Sequence, residues 1–213
     1  MKKLLLCVLC GLFLMSCGGM SGTFKYTRPL ASPEVNNSVT IYKSKHQVWQ
    51  EAIPKLGKDF FVINNIDKDS GIINVSYTGD PQQYVNCGTI ESTVSNLVHE
   101  REYKFPASKA YQIYEATINR TPVVIKRKLT LEGRINIIIE ELEPNKTLVS
   151  VNVRYLLNKD IKTALLRRSR SMPVDSFSES LAFNTGQADT SGGGTACQCT
   201  GALEAKILSL FEQ

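Results

Sequence analysis

Between residues 123 and 157, apolar and polar side chains alternate almost without a break. In VVIKRKLTLEGRINIIIEEL, Ile125, Leu129, Leu131, Ile135, Ile137 and Ile139 share one face, while Lys126, Lys128, Thr130, Glu132, Arg134, Asn136 and Glu140 take the other. A period of two predicts a half-buried antiparallel strand with one wet face. Glu143-Pro144-Asn145-Lys146 turns the chain, as Pro and Asn do. TLVSVNVRYLL then repeats the alternation through Val149, Val151, Val153, Tyr155 and Leu157. Gly133, midway along the first strand, predicts a bulge or bend.

The flanking segments carry other periods. SVTIYKS reads as a strand, and in HQVWQEAIPKL the spacing of Val48, Trp49, Ala52, Ile53 and Leu56 predicts a helix. Ser44 is its N-cap, and Pro54 with Gly57 ends or kinks it. FFVINNI and GIINVSY form a hairpin around Asp67-Lys68-Asp69-Ser70-Gly71, a run of turn-forming residues. DPQQYVNCG is a capped turn, and FPASKAYQIYEATI suits either a short helix from Ser108 or a strand. Residues 158–173, NKDIKTALLRRSRSMP, read as a basic connector; SFSESLAF is a strand, and 185–196 a flexible loop. TGALEAKILSLF closes as an amphipathic helix, with Leu203, Ile207, Leu210 and Phe211 in one stripe. A sheet wet on one side must bury its other face, and the two helices are the available cover. The expectation is an α+β fold: an antiparallel sheet packed on an N-terminal and a C-terminal helix, in a single domain over 38–213.

The N-terminus changes where this domain is placed. Lys2 and Lys3 precede an apolar run, Leu4 to Leu14, which has the layout of a secretory signal and is well short of the roughly 20 residues that span a bilayer. No A-x-A site follows. Leu14-Met15-Ser16-Cys17 instead resembles the bacterial lipobox, which implies that residues 1–16 are removed and that Cys17 is lipidated. Two or more acyl chains hold a protein stably on a membrane. Residues 17–37, rich in Gly, Ser, Pro and Asn, then read as the lipidated end and a flexible tether. No Asp follows Cys17, and that resemblance implies an outer-membrane lipoprotein facing the periplasm of a Gram-negative cell.

Charge and cysteines narrow the chemistry. The formal charge is +5, and Lys2 and Lys3 carry two of it. The remaining +3 argues against a nucleic-acid binder. Cys7 and Cys10 leave with the leader, so Cys87, Cys197 and Cys199 stay in an oxidising compartment. A bridge from Cys87 to the C-terminal pair is expected. Three cysteines allow at most one such bridge, and C-x-C is not the redox-active C-x-x-C. His46 and His99 lack the spacing of metal ligands, so no metal or cofactor is expected. G-x-S-x-G, H-E-x-x-H and phosphate-loop signatures are missing from the sequence. Arg167, Arg168 and Arg170, with Lys159 and Lys162 upstream, make a candidate basic patch for an anionic membrane or an acidic partner.

VWQEAIPKLGKDFFVINNIDKDSGIINVSY resembles the opening of BamC-type domains, in which a V-W helix precedes a hairpin turning on D-x-x-S-G. Val48, Trp49, Asp67, Ser70, Gly71 and Ile72 carry that likeness. CTGALEAKIL and Tyr84-Val85-Asn86-Cys87-Gly88 resemble segments of lipoproteins that end in C-x-T-G-x-L-E. The resemblance implies a helix-grip fold, Cys199 rather than Cys197 as the partner of Cys87, and an accessory of outer-membrane β-barrel assembly with no catalytic residues. The function expected is a non-enzymatic lipoprotein that docks or scaffolds an envelope protein. The alternative is a module binding a small molecule or lipid in a cavity between the sheet and the C-terminal helix.

Overall fold

The computed structural model describes residues 21–30, 34–59, 61–96, 98–166, 172–189 and 194–212. In chain order its elements are β1 (Ser21–Thr27), β2 (Ser38–Ile41), α1 (Lys45–Lys58), β3 (Val62–Asp67), β4 (Ile72–Gly79), β5 (Val85–Asn86), β6 (Thr89–Ser95), β7 (Glu100–Pro106) and β8 (Tyr111–Ile118). There follow β9 (Thr121–Glu143), β10 (Lys146–Leu165), β11 (Met172–Asn184), β12 (Ala188–Asp189), β13 (Cys197–Cys199) and α2 (Ala202–Ser209). No described helix is long and apolar enough to cross a membrane.

The antiparallel hairpin of β9 and β10 is the spine. At 23 residues, β9 runs about 75 Å. Its other edge is shared end to end: β4 pairs with Leu131–Ile138 and β8 with Thr121–Lys128. β11 and β2 likewise divide the far edge of β10, and β3 extends from β4. Every odd position of β9 from Val123 to Ile139 is buried, as is every odd position of β10 from Thr147 to Lys159. One face of the seven-stranded sheet is therefore core along most of the hairpin, and the even positions stay wet.

Two different covers meet on that inner face. Over the β4 end lie the helices. Ser44 caps α1 in a reciprocal capping box with Gln47, satisfying two orphan N–H groups. Val48, Trp49, Ala52 and Leu56 are its buried stripe, and it continues through Pro54 to Lys58. α2 buries Leu203, Ile207 and Leu208, and Lys206 donates to Asp59 at 3.1 Å, joining the two helices. Over the β8 end lies a second sheet, ordered β1-β6-β7. Ser92 on β6 donates to the Glu115 carbonyl at 2.8 Å, and the Phe105 and Tyr103 rings stand 5.1 and 6.4 Å from Tyr114 on β8. A small sheet, β12-β13-β5, sits at the junction.

This architecture overturns the α+β, helix-grip expectation of a sheet packed on an N-terminal and a C-terminal helix. Strand accounts for 61% of the described structure and helix for 14%, so the fold is mostly β. The physical reason is length: α2 has eight residues, about 12 Å, against a strand six times as long. Two short helices leave half of the apolar face open, and β1-β6-β7 closes it. Three local expectations change with it. Residues 21–27, placed in the tether, are β1 and pair with β6 over seven positions. The basic connector of 158–173 is, through Leu165, the continuation of β10. Gly133 makes no bulge, since its register with Tyr155 and Tyr77 is continuous. A Cβ there would stand 3.2 Å from a Leu203 methyl, so the glycine admits α2 close to the sheet.

Candidate functional site

The lipidation residue Cys17 and the basic patch Arg167, Arg168 and Arg170 lie outside the described residues. Cys87 is bonded to Cys197, not to the Cys199 that the resemblance favoured. Register decides this: β13 pairs Gln198 with Asn86 and Cys199 with Val85, so the position facing Cys87 is Cys197. Cys199 remains a buried thiol. Its sulfur accepts from the Gly186 N–H at 3.3 Å, and burial pushes the thiol's pKa up. His46 and His99 lie in different parts of the fold, His46 beside Trp49 and Glu141 and His99 before β7. Among the described residues no three His, Cys, Asp or Glu side chains converge as a metal site.

The wet face of the hairpin carries an ordered array. Arg134 faces Arg154 directly across β9 and β10, and Asn136 faces Asn152. Asn74 on β4 donates to Asn136, and Asn37 donates to Asn152 at 3.2 Å. Arg134, Asn136, Asn152, Arg154 and Asn184 line a groove of about 540 Å³. Arg134 is partnered along its own strand by Glu132, at 2.8 Å. Eight residues up β9, Lys126 faces Lys162. With Tyr111, Arg127, Lys128 and Asp160 these lysines line a second groove, of about 470 Å³. Like charges set directly opposite one another destabilise a sheet, and this face does so twice.

The buried face breaks its own pattern in the same upper half. Arg127 and Lys159 occupy odd, inward positions and are only 2% and 3% exposed. Arg127 pairs with Ile161 and Lys159 with Leu129. The two cations are therefore diagonal neighbours, about 7–8 Å apart at the backbone. Lys159 has an ion pair with Glu179, directly opposite it on β11, and reaches Thr195 at 3.3 Å. Arg127 has no such partner: neither terminal guanidinium nitrogen makes a hydrogen bond. Burial lowers its pKa to about 10, with Tyr114 and Tyr26 acting in the other direction, so it stays charged at neutral pH.

Both residues escape a reading of apolar periodicity because each interrupts the apolar row. The signal that finds them is that interruption: a cation at the inward parity of a strand whose other inward residues are Val, Ile and Leu. A third buried polar cluster joins α2 to the sheet. Glu204 accepts from Tyr155 and from Thr185, each at 2.7 Å, and burial, then Glu204, raises the phenol's pKa. Leu203 and Ile207 beside it are fully buried.

Comparison with protein-family models, curated proteins and solved structures finds no match to this chain.

Proposed function

We propose that the protein is a non-enzymatic, lipid-anchored docking module of a Gram-negative envelope, tethered through Cys17, whose binding face is the wet face of the β9–β10 hairpin. The lipobox-like end of the leader motivates the anchor. The observation that carries the docking reading is the Arg134–Arg154 pair, two cations opposed across strands on a rigid, fully paired part of the sheet. Carboxylates of a partner, set between the two guanidiniums, relieve that repulsion and gain charge-assisted, bidentate hydrogen bonds. The asparagines alongside supply neutral donors and acceptors. The partner is accordingly an envelope protein presenting an acidic loop or strand.

The test is a photo-crosslinking residue placed at Asn152 in the full-length lipoprotein in cells. Support is a crosslinked envelope protein that disappears with Arg134→Glu/Arg154→Glu, at equal protein level, and whose affinity falls as salt rises. An adduct unchanged by that double charge reversal sinks the docking face. A Cys17→Ala form that still sediments with membranes sinks the anchor.

A further inference from the structure

We infer that Arg127 anchors a binding site for a small oxyanion, a phosphate or carboxylate group, between the two sheets at the upper end of the hairpin. The argument is a charge inventory of the interior. Among the described residues three carboxylates are wholly or largely buried, and each is engaged: Glu115 with Arg101, Glu179 with Lys159, and Glu204 with Tyr155 and Thr185. Arg127 is the cation left over, 2% exposed, with both terminal nitrogens unbonded. A charged group buried without a partner is strongly unfavourable, and the neighbouring Lys159 is neutralised by its own ion pair with Glu179, so that carboxylate does not serve Arg127.

The geometry of the guanidinium selects the ligand class. Two adjacent unbonded N–H groups on a planar guanidinium match two oxygens of one carboxylate or phosphate, whereas chloride uses the fork poorly. Tyr114 on β8 and Tyr26 on β1 are the phenols that interact electrostatically with the guanidinium; the Tyr26 hydroxyl is already engaged, donating to the Cys87 carbonyl and accepting from the Ala196 N–H, each at 2.9 Å. The site is separate from the Arg134–Arg154 groove that carries the docking reading, because Arg127 has the inward parity of β9 and does not line that groove; it does border the Lys126–Lys162 groove. Either reading can fail without the other.

The experiment titrates the full chain in detergent with inorganic phosphate, acetate or chloride at matched ionic strength, following thermal unfolding. The wild type should gain stability saturably with phosphate or acetate. Above the dissociation constant, each tenfold rise in the free concentration of the anion that binds should raise the folding equilibrium constant about tenfold. Arg127→Met should abolish that response and, in chloride alone, be at least as stable as the wild type, since it removes an uncompensated buried charge. Tyr114→Phe, which keeps the ring, should fold and bind several-fold more weakly. Should Arg127→Met not fold, Arg127→Lys serves, with an expected loss of at least about tenfold in oxyanion affinity because the fork is gone. A response to phosphate alone or acetate alone identifies the group bound. A wild type that responds to all three salts alike, or an Arg127 variant that responds in parallel with it, overturns the inference.

Discussion

Replacing Cys87 by Ser tests the register at the junction of the two covers. The Cys87–Cys197 bond joins positions 110 residues apart. Chain-entropy arguments assign about 4.7 kcal/mol to a loop of roughly 100 residues, and native bridges in small secreted domains measure about 2–5 kcal/mol. The expected loss on Cys87→Ser is therefore about 4 kcal/mol, read as a lower midpoint in urea under non-reducing conditions. Two further variants separate the candidate partners. Cys197→Ser should lose as much, because Cys199 lies opposite Val85, and reaching Cys87 requires a two-residue slide of β13 that also breaks the Gln198–Asn86 pair. Cys199→Ser should keep the bridge, visible as unchanged mobility on a non-reducing gel. A Cys87→Ser protein that unfolds like the wild type, or a Cys199→Ser protein that has lost its bridge, refutes the reasoning.

Lys159→Met should cost about 3–5 kcal/mol by leaving Glu179 buried without its cation, and Lys159→Met/Glu179→Leu should recover most of that; denaturant melts of the two variants decide it. Glu204→Ala should cost about 2–5 kcal/mol, since the hydroxyls of Tyr155 and Thr185 both lose their acceptor in the interior. At the β3–β4 turn, Ser70 donates to Asp67 from its hydroxyl and its backbone N–H, which holds the Asp67 carboxyl below the usual aspartate range. With a folded pKa below the unfolded one, that stabilisation is present above the unfolded value and is lost as pH falls through the folded one. Ser70→Ala should move the Asp67 titration, followed by NMR of its carboxyl carbon, up towards the ordinary value.

The β9–β10 hairpin was legible because, from Leu131 to Ile139 and from Val149 to Leu157, every inward position except Gly133 is apolar. It became illegible where that parity is violated. Lys159 stands where an apolar residue continues the row, and so the strand read as ending at Leu157 when it runs to Leu165. Arg127 dropped out of the apolar face for the same reason. The second sheet was lost differently: β1 pairs with β6 across more than sixty residues of chain, and nothing local in SGTFKYT marks that partnership, since Phe24 stays about half exposed. The cysteines show a third limit. Cys197 and Cys199 share a parity, so only the register of β13 against β5 distinguishes them, and register is a property of the assembled sheet.

The positions that break local rules are not scattered along the spine. Between Leu131 and Ile139 the inner face of β9 is entirely apolar apart from Gly133, and α1 and α2 cover it. Above that segment the inner face takes in Arg127 and Lys159, and the outer face opposes Lys126 to Lys162; within it, the outer face opposes Arg134 to Arg154. Each of these features lowers stability when taken alone. A sheet selected only to fold gains by replacing them, as buried ion pairs exchanged for well-packed apolar side chains commonly show. Sites where natural sequences carry such local conflict are where binding is expected. The covers then divide the spine: the helix-capped end is apolar along the inner face of β9 and presents Arg134 and Arg154 on its wet face, and the sandwiched end, in continuous register with it from Thr147 to Leu165, carries charge on both faces.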